Sequence, residues 1–119
     1  PVRGVCPSGW HLPTKAEFKT LFTAVGGQST AGQKLKSQTG WNNSGNGTDA
    51  FGFSALPAGD RYSGGSFDTQ GDNADFWSST EDDSRDAYVM DLDYYGGVAY
   101  LDGDFKFIGF SVRCLRDSP

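Results

Sequence analysis

The sequence predicts an α+β domain with two early helices, a long ordered loop region and a late antiparallel sheet. Three observations support this class. Residues 14–27 show helical periodicity, residues 40–75 are rich in Gly and Asn with spaced aromatic residues, and strand-like runs follow residue 75. A chain of 119 residues can bury one modest core. We therefore expect a single domain over residues 1–119.

Two helices are predicted near the N-terminus. Thr14 and Glu17 have the spacing of a capping box, and Gly26 and Gly27 end the helix that follows. Apolar residues recur at helical spacing between them at Phe18, Leu21, Phe22 and Val25. A second, shorter helix is predicted at residues 31–37, with Ser29 or Thr30 as its N-cap.

Residues 40–75 predict a long ordered loop region, because Gly, Asn, Asp and Ser dominate and aromatic side chains anchor it. Strands are then predicted at 76–80, 86–94, 97–101 and 109–115. The alternation in 86–94 is typical of a half-buried antiparallel strand, and Gly96-Gly97 indicates a hairpin turn. The predicted core consists of Trp10, Leu12, Phe18, Phe22, Trp41, Phe51, Phe53, Trp77, Leu92, Phe110 and Val112.

The chain is acidic, and its acidity is concentrated. Its formal net charge is −5, and eight of the 15 acidic residues lie between Glu81 and Asp104. This balance argues against nucleic acid and anionic membrane surfaces, which attract clustered Lys and Arg. No apolar run is long enough to span a bilayer. The abrupt opening PVRGVCPSGW is typical of a piece of a longer protein.

Cys6 and Cys114 lie near the two ends of the chain. If they pair, the disulfide closes a loop of more than one hundred residues. Such a bond favours the folded state by roughly 4–5 kcal/mol through the entropy of the unfolded chain. The composition favours an exported protein with a disulfide, and two reduced core thiols in the cytoplasm are the alternative.

Four motifs closely resemble the Fibrobacter succinogenes major paralogous domain, in the family's order. They are CPSGWHLPTKAEFKTL at 6–21, GTDAFGFSALPAGDR at 47–61, FWSSTE at 76–81 and GFSVRCLRD at 109–117. The resemblance implies a C-type-lectin-like fold, distantly related to the domain of formylglycine-generating enzymes. In that fold the terminal strands pair, two helices flank a small twisted antiparallel sheet, and a long loop region covers one face. Cys6 and Cys114 are then expected on the adjoining terminal strands.

We expect no enzyme activity. Formylglycine generation needs a pair of reactive cysteines, whereas the resemblance implies a structural role for Cys6 and Cys114. His11 is the only histidine, so neither a catalytic triad nor a His-based metal site has a second partner. No cofactor is expected either. A structural calcium ion is the alternative, because oxygen ligands are frequent at 68–75 and 81–104, but the Glu-Pro-Asn and Gln-Pro-Asp tripeptides of sugar-binding C-type lectins are absent.

Residues 91–108 form the candidate ligand-binding segment. Asp, Tyr, Gly and Phe dominate it, and this composition is related to that of antibody binding loops. Proteins of this general fold include targets of diversity-generating retroelements, which randomise adenines and cannot convert an Asn codon to Lys, Glu, Gln, Met or Trp. Only Lys106 in the segment belongs to that excluded set. The predicted contact residues are Asp91, Asp93, Tyr94, Tyr95, Tyr100, Asp102, Asp104, Phe105 and Phe107.

These features predict a non-catalytic, adhesin- or receptor-like binding domain of an exported bacterial protein, displayed at the cell surface. Its expected ligand is a protein or glycan on a cell or phage surface, and the domain is expected to be monomeric, with no nucleic-acid binding and no membrane insertion. One alternative is an architectural module in which the segment packs on neighbouring domains. Another is calcium-dependent carbohydrate binding.

Overall fold

The computed structural model describes residues 1–119 and has two helices and seven strands. The helices are α1 (Lys15–Ala24) and α2 (Gln28–Leu35), and the strands are β1 (Trp10–His11), β2 (Asp60–Arg61), β3 (Phe67–Asp68), β4 (Asn73–Glu81), β5 (Asp86–Asp93), β6 (Ala99–Phe105) and β7 (Leu115–Arg116). The α+β class and the antiparallel sheet are confirmed. No helix is both long enough and apolar enough to cross a membrane.

The two ends of the chain meet in a short ribbon. Strand β1 pairs antiparallel with β7, and a disulfide joins Cys6 to Cys114, whose Cα atoms lie 5.8 Å apart. Both cysteines were expected on the terminal strands themselves. Instead Cys6 lies in a bend before β1, and Cys114 immediately precedes β7. The disulfide therefore joins the segments next to the ribbon, outside the two residue pairs that form it.

Helix α1 begins and ends as predicted. Thr14 accepts a hydrogen bond from the Glu17 N–H at 3.1 Å, and the Glu17 carboxylate accepts one from the Thr14 N–H at 3.0 Å. Phe18 and Phe22 are buried on one face of the helix. Beside its N-terminus the buried His11 ring lies 2.6 Å from Asp117 Oδ1 and 3.0 Å from Glu17 Oε1. Hydrogen bonds to Asp117 and Glu17 raise the pKa of His11.

Helix α2 begins three residues earlier than predicted. Gly27 is its N-cap, with φ of 115°, so Ser29 and Thr30 lie inside the first turn and cap nothing. Ala31, Gly32 and Leu35 face the interior. The helix ends because the backbone of Lys36 becomes extended and bridges to Ala55, which lies in the loop region predicted from the sequence.

The three-stranded sheet has the order β4-β5-β6, with β5 in the centre. One face, which carries Phe76, Met90 and Leu92, joins the helices in the hydrophobic core. The other face carries Asp75 directly opposite Asp91. Strand β5 is more buried than the half-buried strand that the alternation predicts, because Val89 and Asp93 on the face away from the helices are also covered. The turn between β5 and β6 contains Gly96-Gly97, as predicted.

The strand predicted at 109–115 is mostly absent. Only Leu115 of that run lies in β7. Gly109 and Ser111 instead form isolated bridges to Arg61 and Phe76. This segment crosses from β2 to the edge of β4, so it has no single partner along its length.

The core prediction was right for about half of its residues. Phe18, Phe22, Trp41 and Leu92 are buried, and Phe53 packs against the core cluster. Leu12, Trp77 and Phe110 are half-buried. Trp10, Phe51 and Val112 are exposed, because the first and last lie on edge segments and Phe51 lies at a loop tip.

Reduction of the disulfide tests how the ends are held. The cysteines are 108 residues apart, and loop closure of this length predicts a loss of about 4–5 kcal/mol in the free energy of unfolding. Urea unfolding with and without reductant measures the loss. The double variant Cys6→Ala/Cys114→Ala is the control, and reductant should not change its stability. A loss below about 1 kcal/mol in the native chain would contradict a role for loop closure.

Candidate binding site

Helix α2 and Lys36, the residue that follows it, hold the turn between β5 and β6 in place. The buried Lys36 ammonium donates hydrogen bonds to the carbonyl oxygens of Asp93 at 3.0 Å and Gly96 at 3.1 Å. The Gln33 N–H donates to the Gly97 carbonyl at 3.2 Å. At Gly32 the approach is so close that a Cβ atom would lie 2.7 Å from the Val98 carbonyl oxygen. The turn therefore has one defined position on the helix.

Carboxylates form a row across the sheet on the face away from the helices. Asp75 on β4 lies opposite Asp91 on β5, and Asn73 lies opposite Asp93. The Asn73 amide donates hydrogen bonds to both Asp91 and Asp93. The strand alternation that places Phe76 and Met90 in the core places these acids on the opposite face.

These acids hold their protons more tightly than ordinary carboxyl groups. Burial raises the pKa of Asp75 to about 6. Burial and the neighbouring Asp75 raise the pKa of Asp91 to about 7, and burial with the adjacent Asp91 raises that of Asp93 to about 6. The Asp93 carboxylate in turn raises the pKa of the Tyr95 hydroxyl to about 12. Near neutral pH the row therefore carries fewer negative charges than its residues suggest.

A cavity of about 410 Å³ opens over this row. Its lining comprises Asp60, Tyr62, Asn73, Asp75, Asp91, Asp102, Asp104, Phe105, Ile108 and Phe110. The floor is the sheet, whereas β2 and the segment after β6 form the walls. The bridge between Arg61 and Gly109 holds these two walls together.

Exposed aromatic side chains lie near the cavity and at the turn. Phe107 is 56% exposed and Tyr62 44%, whereas Tyr95 at the turn is 69% exposed and lines a separate pocket with Gln33 and Lys36. Phe107 stacks on Phe105 with ring centroids 5.1 Å apart and meets the edge of Tyr62 at 5.5 Å. We call the exposed side chains Tyr95, Tyr100, Asp102, Phe105 and Phe107 the hairpin surface.

The nine predicted contact residues fall into three groups. Asp91, Asp102, Asp104 and Phe105 line the cavity. Tyr95, Tyr100 and Phe107 are exposed and do not line it. The remaining two differ from the expectation of a free contact surface: Asp93 is only 5% exposed, and Tyr94 packs against the core. Both occupy the part of the turn that lies on Lys36 and α2.

The sequence analysis missed the cavity walls. Asp60, Tyr62, Ile108 and Phe110 were not among the predicted contacts, and Asn73 and Asp75 were considered only as oxygen ligands for calcium. One signal was present in NADFW, where Asn73, Asp75 and Trp77 alternate with Ala74 and Phe76. No group of three or more His, Cys, Asp or Glu side chains is arranged to hold a metal ion.

Comparison with known proteins identifies the family. The sequence model of the Fibrobacter succinogenes major domain matches residues 2–116. The chain belongs to this family. The match covers the terminal ribbon, both helices and the whole hairpin, and every residue that lines the cavity lies within it. No curated protein and no solved structure matches the chain.

The buried acids predict a specific dependence of stability on pH. Their folded-state pKa values lie above the ordinary value of about 4, so their protonated forms stabilise the fold at low pH. This contribution is lost as the pH rises through about 6 to 7. Asp75→Asn should therefore become more stable relative to the native chain between about pH 4.5 and 7.5, by on the order of 2–3 kcal/mol.

Urea unfolding at several pH values measures this difference. His11 is common to both proteins, so its titration cancels. The control is Asp82→Asn, which also removes one carboxylate but lies near Tyr88 on the helix side of the sheet. A stability difference for Asp75→Asn that stays constant with pH would contradict the assignment.

Proposed function

We propose that this domain is a non-catalytic ligand-binding module of an exported bacterial protein, with a C-type-lectin-like fold, and that it binds through the hairpin surface. The observation that carries the proposal is the arrangement of the hairpin. Lys36 and α2 hold the backbone of its turn, while the side chains of Tyr95, Tyr100 and Phe107 are exposed. Rigid support with exposed aromatic residues is typical of binding surfaces.

The contents of the hairpin surface support recognition of a macromolecule. Tyr and Phe provide large contact areas at low entropic cost, and neighbouring carboxylates favour a cationic or hydrogen-bond-donating partner. The expected ligand is a protein or glycan on a cell or phage surface. The non-catalytic part of the proposal is supported by the structural use of both cysteines and by the engagement of His11 with Glu17 and Asp117.

We further propose that the segment 91–108 is diversified. At the turn, the fold depends on this segment through the backbone carbonyls of Asp93, Gly96 and Gly97, which any residue supplies. Leu92, Ala99 and Ile108 are buried, so variation is expected at the exposed positions of the segment and not at these three. Sequencing of the source genome tests the idea. A second copy of the coding segment that differs only at adenines is expected, and a genome with neither such a copy nor a reverse-transcriptase gene nearby would contradict diversification.

A binding screen tests the function. The isolated domain is applied to arrays of glycans and of host and phage surface proteins. The variant Tyr95→Ala/Tyr100→Ala/Phe107→Ala should lose at least tenfold in affinity for any captured ligand, because truncation of aromatic contacts at a binding centre is costly. Its melting temperature should stay within a few degrees of the native value, since the three side chains are exposed.

The matched control is Phe51→Ala/Leu56→Ala, which removes two exposed apolar side chains outside the hairpin. It should bind the captured ligand as the native domain does. Equal loss in both variants, or no loss in the hairpin variant, would overturn the hairpin surface as the site. Failure to capture any ligand, with a large loss of stability in the hairpin variant, would favour the architectural alternative.

A further inference from the structure

The cavity over the sheet has an unusual balance of charge. Five of its ten lining residues are acidic, namely Asp60, Asp75, Asp91, Asp102 and Asp104, and none is Lys or Arg. The acids come from four strands, β2, β4, β5 and β6, so the fold itself brings them together. No basic side chain of the lining neutralises them.

Asp75 provides the decisive observation. The residue is only 8% exposed, and its side chain lines the cavity. No N–H or O–H group of a neutral or cationic residue donates to its carboxylate, and its hydrogen-bonding neighbour is another acid, Asp91. Loss of the proton that these two acids share leaves a buried carboxylate without a donor, which costs free energy. A cation in the cavity would offset this cost.

The size and walls of the cavity favour an organic cation. Its volume of about 410 Å³ is far larger than a single metal ion or water molecule needs. Tyr62, Phe105, Phe110 and Ile108 form apolar and aromatic walls. Such walls suit a delocalised cation, which stacks on rings and loses little hydration. The carboxylates are not grouped closely enough to surround a metal ion.

The arrangement of Asp75 and Asp91 indicates which kind of organic cation the cavity fits. The two residues are direct partners on adjacent strands, so their carboxyl groups point into the cavity side by side. A planar guanidinium group offers several N–H donors in a fork that matches such acceptors. An alkylammonium group offers only a compact point charge.

We propose that this cavity binds a guanidinium group, presented as an arginine side chain by the ligand of the hairpin surface. The inference rests on the proposed function and names the chemistry that the ligand presents. The arginine enters between Tyr62 and Phe105 and reaches the carboxyl pair on the sheet. The aromatic residues of the hairpin surface then contact the chain that carries it.

Binding should be coupled to proton release. The groups that face the carboxyl pair are Asp60 on β2, Asp93 on β5 and Asp102 and Asp104 on β6, with Tyr95 beside Asp93 and the Lys36 ammonium behind it. Since burial and like charge keep the pair partly protonated, a guanidinium ion must displace a proton. Affinity should therefore fall as the pH is lowered from about 7.5 to 5.

Calorimetry with N-acetyl-arginine methylamide tests the proposal on the intact domain. At pH 7.5 and low salt the expected Kd is on the order of 1 mM, which is reasonable for a ligand of this size. Asp75→Asn and Asp91→Asn should each weaken binding at least tenfold, whereas Asp82→Asn should leave it unchanged. Folding of each variant is verified by its thermal unfolding transition.

Comparison probes identify the group that is recognised. The neutral isostere N-acetyl-citrulline methylamide should not bind, and N-acetyl-lysine methylamide should bind several-fold more weakly than the arginine probe. Agmatine, a free guanidinium compound, should bind less tightly than an arginine-containing pentapeptide, because only the peptide reaches the hairpin surface. Equal binding of the citrulline probe, or equal binding by Asp75→Asn, would overturn the proposal. Displacement of the arginine probe by micromolar calcium chloride would overturn it in favour of a metal site.

The same variants separate this inference from the proposed function. If a ligand found by screening binds Asp75→Asn fully but loses Tyr95→Ala/Tyr100→Ala/Phe107→Ala, the hairpin surface stands and the arginine cavity is wrong. If the arginine probe binds as predicted while the hairpin variant keeps its macromolecular ligand, the cavity stands and the hairpin surface is wrong.

Discussion

The buried ammonium group of Lys36 fixes the β5–β6 hairpin in place. It lies at the end of α2, donates to two carbonyl oxygens of the turn, and stands 5.1 Å from the centre of the Trp41 ring. Burial lowers the pKa of this lysine, and the nearby Asp93 opposes that shift. Removal of the ammonium would leave the buried Asp93 carbonyl without this donor, at a cost of about 1–3 kcal/mol, and the part-buried Gly96 carbonyl without it at a smaller cost. The turn of the hairpin is therefore held chiefly by one side chain outside it, while Leu92 and Ala99 in the flanking strands pack in the core.

The residues that hold the turn are different from the residues that the turn exposes. The contacts that hold the turn, from Gly32, Gln33 and Lys36, reach its backbone from the helix side. The side chains of Tyr95 and Tyr100 are exposed and contribute little to packing. A turn held through its backbone tolerates changes in its exposed side chains, whereas Leu92 and Ala99 of the flanking strands belong to the core and tolerate few changes. This is the physical basis on which a binding surface can vary without loss of the fold.

Local signals in the sequence were sufficient for some elements and insufficient for others. The capping box of Thr14 and Glu17 and the turn at Gly96-Gly97 depend on neighbouring residues, so the sequence predicted both. The cavity depends on Asp60 and Ile108 meeting acids from the sheet, which only the tertiary arrangement brings about. Lys36 carried no local signal either, because a lone lysine after a short helix normally faces solvent. Its burial follows from turn carbonyls about sixty residues away.

Hydrogen exchange in the variant Lys36→Met tests the account most directly. The methionine keeps an unbranched apolar side chain of similar size but donates no hydrogen bond. The account predicts at least about tenfold faster exchange of the ladder amides next to the turn, including Leu92 and Ala99, with α1 unchanged. The exposed control Lys19→Met and the surface variant Tyr95→Ala/Tyr100→Ala should match the native chain. Native exchange rates in Lys36→Met, or equally fast exchange in the surface variant, would contradict the claim that the Lys36 ammonium holds the hairpin.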